Sequence, residues 1–158
     1  MTITTNTTSS IQDVACWFIS QQPMTHKKLQ YLCYYAEAWS EALLDSPICT
    51  DNNFEAWVNG PVNRTLYNDL KQFGWNSINR ITIDQIHLNI YKEDIDNKFT
   101  KDQLEILQSV WNSYGKYSFD QLEMLIHTEE PWIEQRKGIE MFEECKKENF
   151  NEKHEKLL

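Results

Sequence analysis

The chain has 158 residues, 41% of them hydrophobic and 13% aromatic, which suits one folded domain that buries about two thirds of the surface its unfolded form would expose. Its formal charge is −9, with 7 acids against 4 bases in residues 1–75 and 17 against 11 in 76–158, and the only paired bases are Lys27-Lys28, Arg136-Lys137 and Lys146-Lys147. That balance repels phosphate backbones and excludes a groove-tracking nucleic-acid surface, while no stretch approaches the roughly eighteen apolar residues of a membrane span.

Residues 1–10 are mostly Thr, Ser and Asn, with neither a basic start nor an apolar run of export-signal length, so they read as a disordered head on a cytoplasmic protein. Ile11, Val14, Ala15, Phe18 and Ile19 recur at helical spacing and predict a helix over 11–21, stopped before Pro23. Thr25 is the expected N-cap of a longer helix over 26–45. In it Leu29, Leu32, Cys33 and Ala36 form one stripe, and Tyr31, Tyr35, Trp39 and Ala42 a second. A helix apolar on two faces is central, so this one is the expected hub. Asp45-Ser46-Pro47 ends it, and a loop leads to Phe54.

Residues 54–62, Phe-Glu-Ala-Trp-Val-Asn-Gly-Pro-Val, combine strand-like alternation with a turn and a helix start. Gly60 permits a positive φ, and Pro61 is expected to open a helix running to about Phe73 and stopping at Gly74. The segment 78–91 alternates only partly and reads as one or two short strands or an irregular cover. Thr100 with Gln103, and Ser118 with Gln121, are two capping boxes, predicting a helical hairpin broken at 115–117. Thr128 is the expected cap of a further helical turn from Glu129 to Trp132, with Pro131 in its first turn. Residues 141–158 read as a charged helix or tail. The fold class is therefore mainly α, a single compact helical domain with a short strand and turn element around 54–60.

Chemistry-bearing patterns are sparse. Cysteines at 16, 33, 49 and 145 show no C-x-x-C spacing and no compact pairing with histidine, so neither a disulfide framework nor a zinc site is expected. His127, Glu129 and Glu130 beside Trp132 contain ligand and proton-transfer groups, but no second cluster completes a site, and a structural role is the stronger reading. Asp13, His26, Glu37 and Glu41 fall at unrelated offsets, and four glycines are too few for a phosphate-cradling loop. No enzyme, cofactor or metal is expected. An acidic domain fits a basic protein partner better than nucleic acid.

Three separated blocks resemble the Panacea-domain family, shared by SocA-type antitoxins and GepA-like phage-associated proteins. They are Val14-Ala15 and Phe18 with Lys28 to Ala36; the corner at 54–62 with Tyr67 and Phe73-Gly74; and Leu122 to Trp132 with Arg136 and Gly138. The match covers roughly residues 11–140. Trp57, Gly60, Pro61, Glu129, Pro131 and Trp132 are its structural motif residues. Tyr31 stands where the family usually has a second lysine, Asn59 where it has an aromatic, and Asn63-Arg64 where a proline is frequent.

The resemblance implies an antitoxin of a type II toxin–antitoxin system that neutralises a cognate protein toxin by direct binding, as a hetero-oligomer. Delivery of the toxin to a bacterial protease, or a phage-encoded interaction with a host target, are the alternatives it implies. Lys27, Lys28, Tyr31, Asn59, Asn63, Arg64 and Tyr67 are the candidate partner-binding residues, expected on the surface near the corner.

Overall fold

The computed structural model describes residues 9–79, 81 and 95–145, with side chains described as far as residue 137. Helix α1 (Ile11–Gln21) starts at a capping box in which Ser10 accepts from the Asp13 amide while Asp13 accepts from the Ser10 amide. Helix α2 (His26–Leu44) is capped by Thr25 and ends at Asp45, which takes the left-handed conformation with φ 54°. Both helices match the spans expected from spacing.

Strands β1 (Glu55–Trp57) and β2 (Gly60–Val62) pair antiparallel through a two-residue turn, with Ala56 opposite Pro61 and Trp57 opposite Gly60. Helix α3 (Arg64–Leu70) follows, continued by a 3₁₀ turn (Lys71–Phe73) that stops at Gly74 with φ 54°. The expectation that Pro61 opens this helix is corrected: Pro61 is paired in β2, and the helix starts three residues later. Asn63 caps it, its side-chain oxygen accepting from the Leu66 amide at 3.0 Å.

After a 3₁₀ turn (Ile95–Lys98) come α4 (Lys101–Tyr114) and α5 (Phe119–Ile126), each opened by the expected capping box, and α6 (Glu130–Cys145). Thr128 does not cap α6; its hydroxyl donates back to the Leu125 carbonyl at 2.6 Å. Of the strand-like segment 78–91, Ile78 forms a single antiparallel bridge with Met24, and residues 80 and 82–91 lie outside the described residues. Residues 1–8 of the head and 146–158 of the tail also lie outside them.

The described chain is mainly helical, with one two-stranded sheet. Helix α2 is the hub, packing against α1, α3, α4, α5 and β2. Its buried Leu29, Leu32, Cys33 and Ala36 join Val14, Phe18 and Ile19 of α1 and Ile106, Leu107 and Val110 of α4 in one core. The tryptophans are distributed across this core and its margin: Trp17 and Trp57 are buried, Trp39, Trp111 and Trp132 half-buried, and Trp75 exposed. Cys16, Cys33 and Cys49 are buried and form no disulfide among the described residues.

Glu37 lies inside this core. Its Oε1 accepts from the Ile48 amide at 3.2 Å, while Oε2 has no hydrogen-bond partner. Burial, reinforced by the Glu41 carboxyl, pushes its pKa up to about 9 from an ordinary 4.5. Folding therefore takes up a proton at neutral pH, and stability should fall as pH rises from about 4.5 to about 9. Glu37→Gln, which needs no proton, should flatten that dependence. At pH 7.5 it should raise the melting temperature by about 3–6 °C, or about 1–2 kcal/mol after solvent screening, with no gain at pH 4. Melting curves across that range test the assignment; equal gains at both pH values would contradict it.

Candidate functional site

The β1–β2 turn is the point where the three sequence blocks meet. Three carbonyls of this hairpin, those of Ala56, Trp57 and Asn59, are each engaged by a side chain distant in sequence. Arg136 donates to the Ala56 carbonyl at 2.9 Å, Trp132 Nε1 to the Trp57 carbonyl at 3.3 Å, and His127 Nε2 lies 3.0 Å from the Asn59 carbonyl. A carbonyl has no proton, so His127 carries one on Nε2. Its ring stacks on Trp132 at 4.0 Å between centroids. Arg136 is buried, so its planar guanidinium is turned to the protein and not to solvent.

From the hub helix, the Tyr31 hydroxyl reaches both the Asn59 carbonyl, at 3.0 Å, and Glu123 Oε1, at 2.9 Å. With one proton it donates to one of them at a time. Burial, together with the Glu123 charge, holds its pKa far above the ordinary phenol value, so it remains a donor. Glu123 is also paired with Lys27 Nζ at 2.6 Å, and that ammonium lies over the Phe119 and Trp75 rings.

A second set of bonds fixes the start of α3. Gln30 accepts from the Asn63 amide and donates to the Asn63 carbonyl, and its amide nitrogen lies 3.0 Å from His26 Nε2. Burial lowers the His26 pKa to about 4, so the ring is neutral and Nε2 accepts from Gln30. Asn63 Nδ2 donates to the carbonyls of Asp51 and Asn53, tying the preceding loop to the same residue. On the outer side Arg64 forks onto Glu55 at 2.8 and 3.1 Å and lies over the Trp57 ring. Trp57 Nε1 donates to Glu55 as well, at 2.7 Å.

This geometry separates the seven candidate partner residues. Tyr31, Asn63 and Lys27 are buried, at 0%, 2% and 7% exposure, which corrects the expectation that they lie on the surface. Each is held by hydrogen bonds or an ion pair that the fold itself uses. Lys28, Asn59 and Tyr67 are half-buried, and Arg64 alone of the seven is exposed. Lys28 donates to the Gly115 carbonyl at 2.6 Å, closing the α4–α5 turn onto α2.

Glu129 is similarly occupied. Its Oε1 accepts from the Tyr35 hydroxyl at 2.9 Å, and burial raises its pKa. Sequence reasoning missed Gln30 and Glu123 as organisers. The available signal was a polar residue inside the apolar run of α2, and an acid placed between Leu122 and Leu125 on a short amphipathic helix.

Chemically, these side chains bind backbone carbonyls of the hairpin. Two grooves beside the hairpin, one lined by Tyr34, Phe54, Pro61 and Trp132 and the other by His26, Tyr67, Lys71 and Trp75, hold about 100 and 90 Å³. Small-molecule sites usually need roughly 300–1,000 Å³. Among the described residues no three His, Cys, Asp or Glu side chains are placed to hold a metal ion, and no helix is long and apolar enough to cross a membrane.

The family model described as "Antitoxin SocA-like, Panacea domain" matches residues 29–133. The chain belongs to that family. The matched span runs from the hub helix through the hairpin to Trp132 and its stacking with His127, so it contains most of the clamp. No curated protein and no solved structure matches the chain. In this Panacea domain Trp57, Gly60 and Pro61 lie in one hairpin, and Tyr31 fills the space directly above Gly60.

Proposed function

We propose that this Panacea domain is the antitoxin of a type II toxin–antitoxin system, that it neutralises a cognate protein toxin by binding it directly, and that it has no catalytic role. Membership of the SocA-like antitoxin family over residues 29–133 is the observation that carries this reading. The geometry is compatible with it, because Trp132 and Arg136 hold the hairpin, Glu129 holds Tyr35 and Glu123 is paired with Lys27. Inhibition by occlusion needs an interface of about 1,200–2,000 Å² centred on a few anchors, which a domain of this size can present.

The test is growth of cells expressing the product of the adjacent gene, with and without this chain, followed by co-purification. Arrest relieved by this chain with recovery of a stable complex is the expected result. Relief accompanied by rapid loss of the toxin, with no complex, would replace occlusion by delivery to a protease. Absence of toxicity would remove the antitoxin reading for that gene pair and favour a phage-encoded protein acting on a host target.

A further inference from the structure

The second apolar stripe of α2 has two fates. Tyr31 and Tyr35, in its N-terminal half, are buried, Tyr31 against the hairpin and α5 and Tyr35 against Tyr114 and Glu129. Beyond them the stripe continues at helical spacing through Ala38, Trp39, Ala42 and Leu43, which is the i, i+3, i+4, i+7, i+8 series counted from Tyr35. Here it emerges into solvent. Ala38, Ala42 and Leu43 are exposed, Leu43 at 68%, and Trp39 is half-buried. Tyr114 of α4 extends the surface sideways, stacked on Tyr35 at 4.1 Å and meeting Trp39 edge-on at 5.6 Å.

Acids stand beside this face. Glu41 and Asp45 are exposed on the same part of α2, and Glu129 is joined to the stripe through its bond with Tyr35. No lysine or arginine occurs in α2 after Lys28, and among the described residues none is paired with Glu41, Asp45 or Glu129. Glu129 is half-buried and accepts from Tyr35 through Oε1, so its second oxygen can also meet a cation.

We infer that the exposed end of α2 (Ala38, Trp39, Ala42 and Leu43), flanked by Tyr114 and rimmed by Glu41, Asp45 and Glu129, docks a basic amphipathic helix of the protein partner. Charge complementarity selects this occupant. An apolar helical stripe takes another helix by its i, i+3, i+4 and i+7 side chains, and a carboxylate rim orients lysine or arginine on either side of that seam. A partner cation beside Glu129 would also face the Tyr114 and Trp39 rings. The inference rests on the reading that this domain binds a protein, and it names where and by what chemistry.

The probe is a helical peptide of about 18 residues built from leucine and lysine, compared with its leucine–glutamate counterpart, titrated against the full chain and followed by tryptophan fluorescence and calorimetry. The lysine peptide should bind at least tenfold more tightly than the glutamate peptide, and more weakly as salt rises. Leu43→Glu, an exposed substitution that leaves the fold intact, should lower its affinity at least tenfold. Glu41→Lys with Asp45→Lys should shift the preference toward the glutamate peptide. The same variants go into the growth-rescue assay, where Leu43→Glu should lose rescue.

Equal binding of both peptides, or binding insensitive to Leu43→Glu, would overturn the inference. So would a concentration-dependent dimer, or removal of residues 146–158 creating the lysine-peptide site where the full chain has none, since the face would then be covered by a second copy or by the chain's own tail. An adjacent gene that proves harmless would sink the antitoxin reading without altering the peptide result, so the two failures are distinguishable.

Discussion

Gly60→Ala should destabilise the domain by about 2–4 kcal/mol and lower its melting temperature by about 5–15 °C. A Cβ at position 60 would lie 2.6 Å from Tyr31 Cε1 and 3.0 Å from Cζ and the hydroxyl oxygen. Tyr31 has nowhere to retreat: it is fully buried, and its hydroxyl is held between the Asn59 carbonyl and Glu123. The backbone at Gly60 also has φ +156°, which side chains on an L-residue rarely adopt. Chemical denaturation of the variant, and of the same change in a Tyr31→Leu background, separates the two causes. The steric part should shrink when the ring is removed and the backbone part should persist. An unchanged cost in both backgrounds would falsify the close-contact explanation.

Removing Glu123 should be nearly as damaging, for an electrostatic reason. Its carboxylate neutralises Lys27 at 2.6 Å and accepts from Tyr31, and the Lys27 side chain is only 8% exposed. Glu123→Ala leaves that ammonium desolvated, with aromatic faces as its remaining neighbours, at a cost of about 2–4 kcal/mol. Replacing both charges, Lys27→Met with Glu123→Leu, should recover most of the loss, because apolar side chains of similar volume need no counter-ion. The two single variants and the double variant form a cycle, and a coupling energy of at least about 1 kcal/mol is expected. Simple additivity would mean that the two groups act independently and that the ion pair contributes little.

These two effects reflect how the domain is organised. The hairpin has two strands of three residues each, too few to be stable alone, and it stands because side chains from α2, α5 and α6 take up its turn carbonyls. A change at Gly60 or Glu123 thus disturbs elements more than sixty residues apart. If the proposed function holds, growth rescue should fall in step with stability in such variants, whereas Leu43→Glu should reduce binding of the lysine peptide while leaving the melting temperature within about 1–2 °C of the parent.

Much of this was legible in the sequence. The spans of α1 and α2, the capping boxes of α4 and α5, and the stop at Gly74 were determined by short-range rules, because caps, periodicity and glycine act within a few residues of where they stand. The two-stripe character of α2 announced a hub, and the three blocks of motif residues announced the family. What only the tertiary structure decided is which polar groups are spent inside the molecule. Nothing local marks Tyr31, Lys27 and Asn63 as buried: lysine and asparagine are usually solvated, and their burial here depends on Glu123, Asp51 and Asn53 arriving from elsewhere in the chain. Pro61 was misread for a related reason, since its pairing with Ala56 is a contact between strands and outweighs its preference for a helix start. The same limit applies to the stripe on α2. Its spacing showed an apolar face, but whether that face meets the core or solvent depends on which distant elements pack along the helix: Tyr31 meets the hairpin and α5, Tyr35 meets Tyr114 and Glu129, and Ala38, Ala42 and Leu43 are exposed.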